Sequence, residues 1–500
     1  MHRFPALLFL HSRNVLLSCL LAIATAALLL LALPKFDFRW LAPFALTPLL
    51  IAAARTRNGW QRLLFGWAGG IFFWFFLCTW IEFVLDVHGG MGALSAWICF
   101  VLFALYKGLH LAVFTWLAGP LMRRAYAIPA VAALWTGIER THGTFAFAWL
   151  DLGNAGIDMS VPLRLAPYVG VYGISFVFAM TAAALACVAL RYPRVRLMPL
   201  AALGLLWLFP VIPEGMSAHE SALVVQPNIN PEVDWTGALQ TKTEEELSFL
   251  SNTLPTPLVI WPELPAPLYY YDDPEFRRLA NEIARRHGYF LFGTVAYTGE
   301  HQPLNTGLLL GHDGLVAGRY DKIDLVPFGE FVPPLFSFVN RITRETGDFV
   351  PGHDIQVLRA APGHRLGVFI CYESAFPDLV RQFARQGANV LVNLSNDAYF
   401  GHSEAHDQHL LIARMRAVEN RRFVIRSTND GITAVIDPAG RILRRLPEYQ
   451  QLASPIRYGL VEATTFYTRH GDWFAWTCLA IGLALSLLLL RSERLAYRQR

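Results

Sequence analysis

Charged residues are scarce in this chain of 500 residues. They make up 16% of the sequence and hydrophobic residues make up 54%, whereas soluble domains carry about 25% charged and about 45–50% apolar residues. The mean hydropathy is +0.36. This composition excludes a chain that is soluble throughout, and part of it is expected to face lipid.

The shortage of charge is confined to two parts of the sequence. Long apolar runs dominate 1–214 and 473–490, whereas 215–466 has the mixed composition of a soluble domain. We therefore predict an N-terminal transmembrane domain over 1–214, a soluble domain over 215–466, and a C-terminal transmembrane helix with a basic tail over 467–500.

Several apolar runs approach the length that crosses a bilayer, which is about 20 apolar residues. The clear runs are Val15–Leu33, Leu63–Trp80, Ala166–Leu190 and Trp473–Leu490. The weaker runs are Trp40–Ala54, 91–118, Ala127–Gly137 and Leu197–Ile212. Together they predict about eight transmembrane helices. The first run is expected to be retained, because its apolar stretch follows the cleavage-like box at 16–19 rather than preceding it.

Arginines between these runs predict the orientation, because cytoplasmic loops are enriched in positive charge. With eight helices, one side receives Arg3, Arg13, Arg55, Arg57, Arg62, Arg123, Arg124, Arg191, Arg194, Arg196, Arg491, Arg494, Arg498 and Arg500. Lys35 and Arg39 are the exception. Both termini are then cytoplasmic, and 215–466 is periplasmic. The sequence pI near 8.7 is explained by loop arginines and requires no nucleic acid.

Cysteine is also scarce, and its placement is informative. Of the six cysteines, only Cys371 lies in 215–466, and the others lie in apolar runs, where a thiol is usually a small hydrophobic side chain. A lone cysteine cannot form a disulfide within its own domain, so a stapled fold is excluded there. Cys371 is therefore either an inert buried thiol or a reactive one.

The soluble part alternates β-branched runs with amphipathic helices, which predicts an α/β layered fold. The predicted strands are Ser221–Gln226, Leu258–Trp261, Tyr289–Val295, Gly307–Leu310, Leu315–Gly318, Leu366–Ile370, Val390–Leu394, Phe423–Arg426 and Ile432–Ile436. The predicted helices are Pro274–His287, Ala375–Gln386 and His406–Arg421.

Chemically useful side chains follow two of these strands, where open α/β sheets bind their ligands. Glu263 ends the segment Leu-Val-Ile-Trp-Pro-Glu, and Cys371 ends Gly-Val-Phe-Ile-Cys. We expect the helix after Cys371 to direct its positive end at the sulfur and stabilise a thiolate. A cysteine attacking an acyl carbon also needs a base and a cation for the developing oxyanion. Glu263 suits the first task, and Lys322 in Tyr-Asp-Lys suits the second.

Four segments, WPE, YDK with PFGE, FICYES and SNDAYFG, resemble the nitrilase superfamily with its Glu-Lys-Cys triad. With the flanking apolar runs, the whole chain resembles the apolipoprotein N-acyltransferase family of the bacterial inner membrane. The resemblance implies an α-β-β-α sandwich for 215–466, attached to the transmembrane helices, with Glu263, Lys322 and Cys371 as catalytic residues.

The resemblance also implies a ping-pong reaction without a cofactor. Cys371 takes an acyl chain from a phospholipid, leaving a thioester and a lysophospholipid. The α-amine of the N-terminal diacylglyceryl-cysteine of an apolipoprotein then attacks the thioester. A thioester retains acyl-transfer potential provided that water is kept out.

Further residues of this chain acquire expected roles from the same resemblance. Trp235 lines the substrate site, Asn305 supports the region of Lys322, and Glu330 is a second carboxylate near the thioester. Tyr372 and Glu373 shape the turn after the nucleophile. Tyr399 stands where the family usually has tryptophan, which affects the fit of the acyl chain rather than the chemistry.

Other features have simpler interpretations. His402, His406 and His409 lack the usual spacing of zinc ligands, so we expect no metal there. Lys107 and His110 interrupt an apolar run and either snorkel to the surface or line a polar cavity, and we favour snorkelling. The apolar segment Val326–Val339 is either packed in the core or forms an arm that dips toward the bilayer.

Two rival functions remain open from the sequence. A membrane-anchored amidase or nitrile hydrolase would use the same triad with water as acceptor, but it needs no more than one anchoring helix. A transporter with a degenerate periplasmic domain would carry inward-facing charges in several spans, and apart from Lys107 and His110 the clear spans have none.

Overall fold

The computed structural model describes residues 13–144, 147–213, 215–327, 329–331 and 349–498. The chain forms two compact units. One comprises the chain up to Glu82, Trp97–Ile212 and the chain from Asp472 onward, and the other comprises Phe83–Ala96 and Pro213–Gly471. The second unit therefore includes a short segment that comes from the middle of the apolar half.

The first unit is helical. Its α-helices are α1 (Arg13–Leu31), α2 (Thr47–Arg55), α3 (Gly59–Leu77), α4 (Trp80–Phe83, whose last residue belongs to the second unit), α5 (Ala93–Met122, mostly in this unit), α6 (Ala127–Thr144), α7 (Ser160–Leu163), α8 (Ala166–Val169), α9 (Val171–Ala189) and α15 (Trp473–Arg498). Its 3-10 helices are Arg39–Phe44, Leu152–Asp158 and Arg194–Leu208.

Small residues bring α3 and α5 together. A Cβ added to Gly70 would lie 2.5 Å from the carbonyl oxygen of Gly108, so the two backbones approach where neither residue has a side chain. Glycine has this role in membrane helices, where close packing replaces the hydrophobic driving force.

Length and composition identify fewer spans than the sequence predicted. Among the described residues, three helices qualify, Ala93–Met122, Val171–Ala189 and Trp473–Ser492, and a fourth span is possible if the pair Gly59–Leu77 and Trp80–His88, bent by 60°, counts as one. The predicted count of about eight is therefore not confirmed. Two weaker runs fold differently from a continuous α-helix: 40–54 divides into a 3-10 turn and α2, and 197–212 lies mostly in the 3-10 helix Arg194–Leu208.

The prediction that Lys107 snorkels is wrong. Its side chain is fully buried, its Nζ donates to the carbonyl of Phe147 at 2.8 Å, and it lies 4.5 Å from the ring centroid of Trp74. A carbonyl and an aromatic face replace the water that the ammonium group loses. His110 lies beside it, with Nδ1 3.3 Å from the Lys107 carbonyl.

The second unit contains two six-stranded sheets. The strands are β1 (Glu220–Gln226), β2 (Leu258–Ile260), β3 (Tyr289–Tyr297), β4 (Pro303–Leu310), β5 (Val316–Asp321), β6 (Val357–Ala361), β7 (His364–Ile370), β8 (Val390–Ser395), β9 (Val424–Thr428), β10 (Ala434–Ile436), β11 (Ile442–Arg445) and β12 (Leu452–Tyr458). The first sheet has the order β12-β1-β2-β3-β4-β5, and the second has the order β11-β10-β9-β8-β7-β6.

Helices cover the outer faces of the two sheets. They are α10 (Gly237–Ser251), α11 (Pro274–His287), α12 (Pro377–Arg385) and α13 (Ala405–Asn420), and the short helix α14 (Phe466–His470) packs on α12 and α13. Helices α10 and α11 pack on the first sheet and α12 and α13 on the second, while β4 contacts β7 and β1 contacts β9. The unit is thus the expected α-β-β-α sandwich.

Parallel pairing places the chemically useful residues together. Strands β1, β2 and β3 are parallel, and so are β7, β8 and β9. The carboxyl ends of parallel strands meet at one edge of a sheet. Glu263 follows β2, Cys371 follows β7, and Asn396 follows β8, so each sheet contributes to one site.

Candidate active site

Lys322 is the centre of a buried polar cluster. Its Nζ donates to Oε1 of Glu263 at 3.1 Å and to Oε1 of Glu330 at 2.8 Å. The side chain is 1% exposed. Burial alone would lower the pKa of Lys322, but Glu263 and Glu330 outweigh it and raise the pKa well above its ordinary value. The lysine is therefore a fixed positive charge between two carboxylates.

Asn305 holds the same two carboxylates from the other side. Its Nδ2 donates to Glu263 at 2.8 Å and to Glu330 at 2.7 Å, and its carbonyl accepts from the amide of Lys322 at 2.8 Å. Glu330 also accepts from the amide of Val326 at 2.8 Å. The structure therefore brings together four residues that the sequence singled out, Glu263, Asn305, Lys322 and Glu330.

Glu263 is positioned by backbone contacts on both sides. The Trp261 amide donates to the Leu291 carbonyl at 2.9 Å and continues the pairing of β2 with β3. The second carboxylate oxygen, Oε2, accepts from the amide of Asn396 at 3.0 Å. A carboxylate oxygen can accept two hydrogen bonds, so Oε2 has room for one more proton donor.

Cys371 lies immediately after β7 and begins a 3-10 turn, Cys371–Ala375. Its φ is +50°, in the left-handed region that a non-glycine residue adopts at a cost in free energy. The side chain is buried, with 8% of the residue exposed. The conformation is typical of a residue whose backbone is held by its surroundings.

The expectation that a helix stabilises a Cys371 thiolate is wrong. The residues that follow form a short 3-10 turn, and α12 begins only at Pro377. Burial and the negative charge of Glu263 raise the pKa of the thiol, outweighing Lys322, which lowers it. Cys371 is thus a neutral thiol at rest and needs a base when it attacks.

Glu373 connects the 3-10 turn Cys371–Ala375, here called the cysteine turn, to the segment after β5 that begins at Lys322, here called the lysine loop. Its Oε2 accepts from the amide of Ile370 at 2.7 Å, and its Oε1 accepts from the amide of Ile323 and the hydroxyl of Tyr320, both at 2.7 Å. Burial raises the pKa of Glu373 to about 7. The neighbouring Tyr372 is buried against Phe376, with ring centroids 5.1 Å apart.

The structure gives Trp235 no place in this polar cluster, whereas Tyr399 lies beside it, since burial and the charges of Glu263 and Glu330 raise the pKa of Tyr399. Trp235 is half-buried and packs against the apolar core of the first sheet, which is a structural contact. Tyr399 is 43% exposed and its ring lies 4.6 Å from that of His88, in the π-helical segment Val84–His88 of the same unit.

The three neighbouring histidines contact other groups of the protein. His402 lies against the ring of Tyr449 at 4.1 Å. His406 contacts Glu448 at 2.9 Å, and His409 contacts the carbonyl of Cys371 at 3.0 Å. The segment Val326–Val339 lies largely outside the described residues, so the two interpretations of it stay open.

Sequence reasoning did not identify a group of buried residues that contact Glu263 and the backbone of Cys371, directly or through one another. Asn396, Asp397, His409 and Arg426 are all buried, and Asp397 pairs with Arg426. The signal was available for one of them, because Arg426 is a charged residue inside the apolar strand β9, and buried charges are almost always paired.

Known proteins resemble both units. The carbon-nitrogen hydrolase family matches residues 224–460, and the N-terminal domain of apolipoprotein N-acyltransferases matches residues 25–184. An amidase from Nesterenkonia sp. has a solved structure that is 20% identical over 52% of this chain and 96% of its own, with a TM-score of 0.37.

Two curated relatives extend over nearly the whole sequence. The apolipoprotein N-acyltransferase of Geobacter metallireducens is 32% identical, covering 96% of this chain and 96% of the relative. That of Pseudomonas putida is 33% identical, covering 94% and 95%. Because this identity spans the helical unit and the α/β sandwich alike, the chain belongs to the apolipoprotein N-acyltransferase family of enzymes.

Proposed function

We propose that this enzyme transfers an acyl chain from a phospholipid, through a thioester on Cys371, to the α-amine of the N-terminal diacylglyceryl-cysteine of apolipoproteins. The observation that carries the proposal is the buried Lys322, held between Glu263 and Glu330, in the same unit as the lone soluble-domain cysteine. The family membership of the chain supports the class of reaction.

The first half-reaction forms the thioester. Glu263 takes the proton from the Cys371 thiol as the sulfur attacks the ester carbonyl of the phospholipid. Lys322 stabilises the negative charge that develops on the carbonyl oxygen. The ester C–O bond then breaks, and the lysophospholipid leaves with the proton that Glu263 held.

The second half-reaction reverses these roles. The amine of the acceptor attacks the thioester carbonyl, Glu263 takes a proton from the amine nitrogen, and the C–S bond breaks. The proton returns to the sulfur, so that the resting thiol is restored. The burial of Cys371 and Lys322 limits the access of water, which would otherwise hydrolyse the thioester.

Glu330 keeps Lys322 charged throughout this cycle. When Glu263 accepts the thiol proton, it no longer counters the charge of the lysine. The bond from Lys322 to Glu330, at 2.8 Å, then remains as its ion pair. A lone ammonium group in a buried site would tend to lose its proton and with it the ability to stabilise the oxyanion.

The proposal includes the placement of the chain. Most arginines of the apolar half, with Arg39 as the exception, are on the cytoplasmic side of the inner membrane, and the soluble domain over 215–466 is in the periplasm. The transmembrane parts are 1–214 and 467–500. This arrangement gives the enzyme access to lipid donors and to lipoproteins anchored in the same bilayer.

Donor-only turnover tests this function. Incubation with phospholipid alone is expected to release one equivalent of lysophospholipid, because the thioester forms before the acceptor binds. Glu263→Gln, which is nearly isosteric, is expected to abolish the release, and Glu232→Gln, at an exposed position, is the control. Release that requires the acceptor would contradict the ping-pong scheme. Steady hydrolysis without acceptor would favour the amidase-like alternative with water as acceptor.

A further inference from the structure

The backbone of Cys371 is held by two donors that the reaction scheme does not use. Its carbonyl accepts from Nε2 of His409 at 3.0 Å and from Nδ2 of Asn393 at 3.5 Å. Both donors are fully buried. They act on the residue whose φ is +50°, so they hold the cysteine in a conformation that it would otherwise avoid.

The partners of His409 define which of its nitrogens carries the proton. Its Nδ1 lies 3.0 Å from Nη2 of Arg426 and 3.2 Å from Oδ1 of Asp397. The Cys371 carbonyl can only accept a hydrogen bond, so the proton of the neutral ring is on Nε2, facing that carbonyl, and Nδ1 accepts from Arg426. Burial and Arg426 lower the pKa of His409, which agrees with a neutral ring.

Arg426 orients both donors at once. Its Nη1 donates to Oδ1 of Asn393 at 2.6 Å, which turns the amide nitrogen of Asn393 toward the carbonyls of Phe369, at 3.3 Å, and Cys371, at 3.5 Å. Its Nη2 donates to His409 and to Asp397. The arginine is itself fixed, because Nε donates to the carbonyl of Ile432 at 3.2 Å.

The same segment of chain also holds the base. The amide of Asn396 binds Glu263, and the next residue, Asp397, pairs with Arg426, which in turn donates to His409. A shift of this segment would therefore move the base and the nucleophile together. Groups that react must be held within a fraction of an ångström, since a misplacement of about 1 Å costs about 100-fold in rate.

We propose that His409 is a positioning residue for the nucleophile, which acts by donating its Nε2 hydrogen to the main-chain carbonyl of Cys371. This role rests on the proposed function, because it assigns a purpose to the conformation of that cysteine. His409 does not act as a general base in the reaction. Its Nε2 is bound to a carbonyl, and its Nδ1 lies between the guanidinium of Arg426 and the carboxylate of Asp397, so neither nitrogen faces the thiol proton.

Two amide substitutions separate positioning from packing. Glutamine at residue 409 can place its amide nitrogen near the position of Nε2, whereas asparagine reaches only the position of Nδ1. His409→Gln is expected to form the Cys371 thioester within about 3-fold of the wild-type rate, and His409→Asn about 10-fold to 100-fold more slowly. The phospholipid concentration that gives half the maximal rate is expected to stay unchanged in both, because His409 does not bind the donor.

The measurement is the rate of acyl-adduct formation by intact mass on the full-length protein, with thermal unfolding as a check on folding. His402→Gln, at an exposed ring, is the control and is expected to match wild type. Equal rates for the Gln and Asn variants, or a change confined to the half-maximal concentration, would overturn the proposal. If His409→Asn does not fold, the rate of acyl-adduct formation in His409→Gln tests the proposal. A loss of that rate in a folded His409→Gln protein would count against a positioning role for His409.

A second measurement separates this proposal from the proposed function. Alkylation of Cys371 by iodoacetamide requires no phospholipid, and its rate is expected to change more in His409→Asn than in His409→Gln. If wild-type protein forms no acyl adduct at all, the proposed function fails. The alkylation rates then decide the role of His409 by themselves, and equal rates for the two variants would refute it.

Discussion

Lys322 faces the carboxylates of Glu263 and Glu330, and these two groups, rather than solvent, keep its ammonium group protonated. Lys322→Met keeps much of the side-chain length but removes the charge that we propose to stabilise the oxyanion. The rate of thioester formation is expected to fall by a factor that corresponds to about 3 kcal/mol or more. Lys242→Met, with the parent side chain 70% exposed, is the matched control. Thioester formation at the normal rate in Lys322→Met would remove this residue from the mechanism.

The resting thiol of Cys371 gives a second test at the scale of one residue. Because burial and Glu263 raise its pKa above the ordinary value of about 8.5, the thiolate fraction stays small and grows with each unit of pH. The rate of alkylation by iodoacetamide is expected to keep rising from pH 6 to pH 9. A plateau below about pH 8 would indicate a stabilised thiolate, contrary to the structure.

The part of the site that the sequence could predict lies directly after strands with a clear apolar pattern. Glu263 and Cys371 follow apolar runs that are easily recognised as β2 and β7, so their places at strand ends could be predicted from local pattern, whereas their proposed roles rest on the set of residues and the family resemblance. Every strand predicted from the sequence is present, with its ends shifted by a few residues. The helix Pro274–His287 has the predicted bounds, since Pro274 and Gly288 mark its ends.

The missed elements have weaker local signals. Strand β11 (Ile442–Arg445) is mostly exposed and half arginine, and β12 (Leu452–Tyr458) contains a proline, so their place in the sheets depends on pairing partners far along the chain. The same holds for the support of the nucleophile. His409 and Arg426 are brought to Cys371 by the order of β7, β8 and β9, which a single sequence does not reveal.

The link between the cysteine turn and the lysine loop predicts the effect of Glu373→Gln. At pH 8, above the raised pKa of about 7, the carboxylate accepts from amides of both segments. In Glu373→Gln, the side-chain NH₂ group replaces one carboxylate oxygen and faces a main-chain N–H donor, so that hydrogen bond is lost. The loss of unfolding free energy is expected to be about 1–3 kcal/mol, measured by chemical denaturation. Glu275→Gln, on the exposed face of α11, is expected to change little, and an equal effect at both positions would contradict the link.

The arginine distribution makes a prediction for the whole molecule. Reporter domains that are active only in the periplasm are expected to function when fused near residue 300 and to fail when fused after residue 491. The reason is that positively charged loops stay in the cytoplasm. A reporter that is active in the cytoplasm should give the opposite result at each site. The same readout at both sites would refute the topology.

The acyl-enzyme itself is the most direct test of the central claim. Purified protein incubated with phospholipid is expected to gain the mass of one acyl chain on Cys371 and to lose it to hydroxylamine, which cleaves thioesters. Alanine in place of each remaining cysteine, Cys19, Cys78, Cys99, Cys187 and Cys478, should leave the adduct intact. Cys371→Ala should form none. An acyl adduct that persists in Cys371→Ala would place the nucleophile elsewhere and contradict the account.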